Sequence, residues 1–147
     1  MPIYKYKRIT TPGPTGTTLH FRNTDENAFT ELAEIDGWHY VHVPDDAVIA
    51  EQPAEIAWQP AEITADLKDQ IKANSRRVQL ITEEMQRRIR EKYALEDEQY
   101  YSRIGIGAAL GVYEFLPGEQ EELLAFGEFV ESIRQWGRAE RAKLGLA

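Results

Sequence analysis

The sequence predicts an α+β protein: an N-terminal antiparallel β-meander or set of hairpins, followed by a C-terminal bundle or hairpin of long amphipathic helices. Three observations carry this. The front third alternates apolar and polar residues with a period of two, broken by Pro and Gly. An Asp36-Gly37 pair sits between two apolar runs, the strongest short-range hairpin signal. Beyond residue 64, apolar residues recur at helical spacing over two long stretches. The expected divisions are a β-rich part over 1–50, an extended Pro-containing linker over 51–63 and a helical part over 64–147.

The first strand is read at Ile3 to Ile9, with Tyr4 and Tyr6 on one side and Lys5 and Lys7 on the other. Thr10 to Gly16 holds two Pro and two Gly and reads as a turn. Thr17 to Arg22 alternates again, placing Leu19 and Phe21 on one face, and the polar stretch Asn23 to Asn27 breaks the pattern. A type I′ turn at Asp36-Gly37 fixes a register in which Ile35 faces Trp38, Glu34 faces His39, Ala33 faces Tyr40, Leu32 faces Val41 and Glu31 faces His42. One face then carries Phe29, Ala33, Ile35, Trp38 and Tyr40, the other Leu32, Val41 and Val43. Both are apolar enough to need cover.

Pro44 ends the hairpin. In the stretch that follows, Gln52-Pro-Ala-Glu-Ile56 recurs as Gln59-Pro-Ala-Glu-Ile63. Each Pro disfavours helix in the residue before it, so the segment reads as an extended strap pinned by Ile56, Trp58 and Ile63.

Thr64 or Asp66 can cap a helix starting near Ala65. Leu67, Ile71, Val78, Ile81, Met85 and Ile89 form its stripe. Asn74-Ser75 can split it, with Ser75 capping the second piece; unbroken to Tyr93 it would be roughly 43 Å long. A second helix is expected from about Glu96, carrying Tyr100, Tyr101 and Ile104 and broken or loosened by Gly105, Gly107 and Gly111. Pro117-Gly118 punctuates. A final helix runs from about Glu119 to Leu144, with Leu123, Phe126, Val130, Ile133 and Trp136 as its stripe and Gly145 as its stop. The stripes must bury against each other, against the β part or against another chain, so self-association is one outcome to test.

Composition narrows the function. The 147 residues include no cysteine, which removes disulfides, thiolate metal sites and thiol nucleophiles. Net charge is −8, with −6 in residues 1–63 and −2 in 64–147, a balance that repels phosphate backbones, so no nucleic-acid partner is expected. The Arg87, Arg88, Arg90, Lys92 run is preceded by Glu83 and Glu84 at i,i+4 spacing and reads as a solvated helix face. Met1 to Ile9 lacks the apolar run of a signal peptide, and Ile104 to Leu116, the longest weakly polar run, is too short to span a bilayer. No membrane insertion is expected.

No catalytic or metal-binding constellation is found, and no cofactor is implied. Of His20, His39 and His42, the last two are three apart on a strand and point to opposite faces, where Glu34 and Glu31 pair with them more simply than a metal does. Gly105, Gly107 and Gly111 miss the spacing of a dinucleotide loop and follow a helix instead of a strand; the segment reads as a flexible, partly apolar connector open to a neighbour. Glu96-Asp-Glu98 lacks the glycine and spaced oxygens of a calcium loop and suits a helix start. None of Ser75, Ser102 and Ser132 sits in a nucleophile turn. No enzyme activity is read. The candidate contact residues are aromatic, because aromatics dominate interface energetics: Trp38, Tyr40, Trp58, Tyr100, Tyr101, Phe115, Phe129 and Trp136.

Three strings, Ile35-Asp-Gly-Trp-His-Tyr-Val-His-Val-Pro44, the Gln-Pro-Ala-Glu-Ile strap, and Val130 to Gly145, resemble small proteins of tailed bacteriophages and prophages encoded among tail and tail-fibre genes. The resemblance spans Phe29 to the C-terminus and departs at Ile104 to Leu116, where such proteins are shorter and more polar. It implies no catalytic residue. It implies a virion structural protein at the tail tip, baseplate or fibre junction, made in the host cytoplasm and contacting other tail or fibre proteins. The alternatives are a non-virion tail-fibre assembly chaperone and an acidic inhibitor of a host protein.

Overall fold

A computed structural model describes residues 3–14, 16–19, 21 and 29–147. His20, Arg22 and the polar break at Asn23 to Asn27 lie outside the described residues. The chain is α+β and forms two compact units, Met1–Gln79 with Arg141–Ala147, and Leu80–Glu140. The two units cut across the expected divisions at 50 and 63. The strap, the first helix and the chain end all pack on the sheet, so they belong to its unit.

In the first unit, β1 (Ile3–Tyr6), β4 (Thr30–Ile35), β5 (Trp38–His42) and β6 (Gln59–Pro60) form an antiparallel sheet in the order β4-β5-β1-β6. β2 (Ile9–Thr10) and β3 (Thr18–Leu19) form a separate two-stranded ladder. Asp36 and Gly37 have φ of 52° and 80°, as a type I′ turn requires. Ile35, Glu34 and Ala33 pair with Trp38, His39 and Tyr40 as expected. The register then shifts at a bulge: Glu31 pairs with Val41 and Thr30 with His42.

That one extra residue rearranges both faces, because side chains alternate along a strand. Leu32 moves to the side of Ala33 and Tyr40, packing with Ile3, Ile71 and Leu146. Phe29 moves to the side of Val41 and Val43, packing with Tyr6 and Ile56. Both expected placements, Leu32 with Val41 and Phe29 with Tyr40, are therefore corrected.

Each face is covered. α1 (Ala65–Asn74) and the chain end cover the first. The strap covers the second: Ile56 is fully buried within a 3-10 turn (Ala54–Ile56), Trp58 stacks on Tyr4 at 5.1 Å, and Lys7 N donates to Ile56 O at 2.7 Å. Ala61 N donates to Ile3 O at 2.9 Å, so the strap continues as a sheet edge. Thr64 caps α1 through its hydroxyl, which accepts from Leu67 N at 3.2 Å. Ser75 breaks the helix and accepts from Val78 N at 3.4 Å, starting α2 (Arg76–Lys92).

The second unit comprises the rest of α2, α3 (Leu95–Ala109) and the body of α4 (Glu119–Lys143). Arg88 lies over the Trp136 ring at 3.9 Å, Lys92 over Phe129 at 4.6 Å, and Tyr93 meets Phe126 edge-on at 5.0 Å. Numbers rise along α2 as they fall along α4, so the two helices run antiparallel. Gly137 permits this approach; the Met85 thioether occupies the place a side chain would take. α3 joins through Tyr101, stacked on Phe126 at 5.0 Å. Gly105 and Gly107 do not break α3, contrary to expectation. Tertiary contact makes them useful inside the helix: Leu123 closes on Gly105, and Tyr113 closes on Gly107. The chain turns at Gly111, with φ of 74°. No helix among the described residues is long and apolar enough to cross a membrane.

Candidate functional site

The closest approach to a chemical cluster lies on the sheet. The bulge delivers Glu31 to His39 and away from His42, its expected partner. Its carboxylate accepts from His39 Nδ1 at 2.8 Å, from Arg8 at 3.1 Å and from the Tyr6 hydroxyl at 3.4 Å. Burial, then the Glu31 charge, pushes the Tyr6 phenol above its usual range. The donors converge on one acceptor, and the His39 ring stacks on Tyr6 at 5.1 Å. This is how a buried histidine is satisfied within a core. Among the described residues, no group of three or more His, Asp or Glu converges as a metal cage. Three cations of α2 are likewise engaged: Arg87 with Glu84 and Glu91, Arg88 with Glu84 at 2.8 Å, and Arg90 with Glu98 at 2.6 Å. The Arg87 and Arg88 hydrogen bonds pull the Glu84 carboxyl down to about 2.

The eight aromatic candidates are scattered. Tyr40 is buried in the sheet core, where burial and the Asp36 charge push its phenol up. Trp38 is half-buried under the Lys5 and Lys7 ammonium groups, at 4.4 and 4.7 Å. Trp58 belongs to a ring cluster with Tyr4, Phe21 and Phe29. In the second unit, Tyr101, Phe129 and Trp136 pack between helices. These six serve packing, as aromatic residues at regular spacing commonly do. Tyr100 is exposed and donates its hydroxyl to Glu119; Phe115 is half-buried beside an open groove.

Of the strongly exposed aliphatic side chains among the described residues, all but Val48 fall in the stretch of chain that holds Phe115. Ile106, Leu110, Val112, Leu116 and Leu124 are each more than 60% exposed, spanning the end of α3, the segment 110–118 and the start of α4. Such a concentration marks a contact surface more than a solvent face. Its signal in the sequence was the weakly polar run Ile104 to Leu116.

The surface is held rigid from beneath. Glu119 is buried at the first position of α4. It accepts from Tyr113 OH and from Leu116 N, both at 2.6 Å, as well as from Tyr100 OH. Three donors from α3 and the following segment thus end on one carboxylate, which also complements the helix dipole. The 110–118 segment is a positioned loop, and most of the expected flexible connector, residues 105–111, lies inside α3. Beside it runs an open groove of about 740 Å³ along α4, lined by Phe115, Leu123, Leu124, Gly127, Glu128 and Glu131 among others. No protein-family model, curated protein or solved structure matches this chain.

Proposed function

We propose that this protein is a bacteriophage tail-associated structural component, made in the host cytoplasm and carried in the virion at the tail tip, baseplate or a fibre junction. It acts through protein–protein contacts. The observation that carries the contact role is the exposed aliphatic surface of the second unit, fixed by Glu119. Each Leu, Ile or Val left in water forgoes about 1.5–3 kcal/mol of burial. Several such side chains held still in one region supply binding free energy without the ordering cost a mobile loop would add. The tail assignment is supported by the resemblance of residues 35–44, the strap and residues 130–145 to tail-associated phage proteins.

The test is mass spectrometry of purified virions beside the lysate that produced them. The chain is expected in mature particles at a fixed ratio to tail proteins. Presence in the lysate with absence from particles overturns the structural reading. If it then co-purifies with a fibre fragment, the assembly-chaperone alternative replaces it.

A further inference from the structure

The groove along α4 differs from the surrounding apolar surface in its shape and its charge. Leu123, Leu124, Gly127, Glu128, Glu131, Ser132 and Gln135 recur at helical intervals, so they form one straight face about 18 Å long. Phe115 walls it at the N-terminal end. Its middle is low, because a Cβ at Gly127 would meet nothing within 4 Å. Its N-terminal part is acidic: residues 104–133 contain Glu114, Glu119, Glu121, Glu122, Glu128 and Glu131 and no Lys or Arg, while Arg134 and Arg138 stand at its C-terminal end. Glu119 is buried by its own hydrogen bonds, and Glu131 is met by Arg138 at 3.3 Å. The uncompensated negative charge therefore concentrates from Glu114 to Glu128.

We propose that this groove docks a basic amphipathic α-helix of a partner protein; the assignment rests on reading the second unit as a contact surface. The occupant is a helix because the groove is the side-chain face of one helix, α4, with Phe115 beside it. An extended peptide would need the free backbone groups of a sheet edge to satisfy its own, whereas a helix satisfies its backbone internally. It is basic because Glu128 on the rim and the acidic residues N-terminal to it have no Lys or Arg among residues 104–133. A second copy in the same groove would bring Glu128 and its acidic neighbours against themselves, which is repulsive. Its apolar side chains recur at i, i+3, i+4 and i+7, to lie over Leu123, Leu124 and Phe115. The gap at Gly127 takes its closest side chain.

The test uses the full-length chain and three synthetic helical peptides of about 18 residues, one turn or so longer than the groove. One carries a Leu stripe flanked by Lys, one the same stripe flanked by Glu, and one the basic composition with its Leu residues scattered around the helix. Fluorescence anisotropy is expected to show saturable binding of the striped basic peptide, at least about tenfold tighter than either control. Raising salt should weaken it, as rim charges are screened. Gly127→Trp fills the groove and should weaken binding by at least about tenfold. Leu124→Lys and Glu128→Arg, at surface positions that spare the fold, should weaken it in the same direction.

No saturable binding by the basic peptide, or equal binding by the acidic or scattered one, overturns the proposal. So does unchanged affinity in folded Gly127→Trp, or in Leu124→Lys and Glu128→Arg should the tryptophan variant fail to fold. The chain found in virions without peptide binding removes the groove assignment alone. Peptide binding with absence from virions removes the tail reading alone.

Discussion

Gly107 and Gly127 both lie within helices, and replacing either with alanine makes the same covalent change with opposite expected results. In an open helical site, alanine is favoured over glycine by about 0.5–1 kcal/mol, because it restricts the unfolded chain. Gly127 is such a site: its Cβ would meet nothing within 4 Å. Gly127→Ala should therefore stabilise the protein and raise its melting temperature by about 2–3 °C for a chain of this size. At Gly107 the new Cβ would stand 2.8 Å from the Tyr113 Cβ. Carbon atoms pack best at about 3.5–4.0 Å, so Tyr113 must retreat by roughly 0.7 Å or more. Its hydroxyl, which donates to Glu119 at 2.6 Å, is then drawn toward the limit of a hydrogen bond. A hydrogen bond to a charged group contributes about 1.5–3 kcal/mol. Against the helix gain, Gly107→Ala should be destabilising by about 1–2 kcal/mol. Far-UV circular dichroism during thermal and urea unfolding measures both variants. Amide exchange at Leu116, whose N–H also ends on Glu119, reports whether the 110–118 segment loosens locally. A Gly107→Ala variant as stabilised as Gly127→Ala, with Leu116 still protected, would refute the claim that this segment is clamped onto α3.

Leu146 is fully buried in the sheet core beside Ile3 and Ile71. Leu146→Ala should cost about 2 kcal/mol or more, read as a lowered urea midpoint; a change below about 0.5 kcal/mol would mean the chain end is not docked. His42 supplies a pH dependence: burial pushes its imidazole below the usual range, with Asp45 opposing. The unfolded state then binds the proton more tightly, so stability rises with pH through the window below about 6.5 and falls as pH drops toward the folded value. His42→Gln should flatten urea midpoints measured between about pH 5 and pH 7.5, and an unaltered slope would assign the dependence to other groups.

Much of the local structure was legible because its causes lie within a few residues. The turn at Asp36-Gly37 depends on two consecutive residues accepting positive φ, and it sets the first three pairs of the hairpin. Thr64 and Ser75 reach their own following turns, so the start of α1 and the break before α2 could be read directly. Ile56 and Trp58 were the apolar residues in a Pro-rich stretch, and they do pin it to the sheet. Other features depend on residues far away in the chain. The bulge at Leu32 exchanges the faces of Leu32 and Phe29 because the two sides of the sheet must accept α1 and the strap together. It hands Glu31 to His39 for the same reason. Gly105 and Gly107 looked like helix breakers by propensity, but Leu123 and Tyr113 come close enough to need them there. The aromatic residues drew attention as contact candidates, yet most spend their area on ring-to-ring packing. The aliphatic side chains of 106–124 stay exposed, and Glu119 fixes the loop among them through Tyr113 and Leu116. Sequence patterning determined the elements and their ends, which are short-range matters of dihedral preference and capping. Only the tertiary structure decided which apolar side chains remained uncovered, because burial is set by what the whole chain brings against each face.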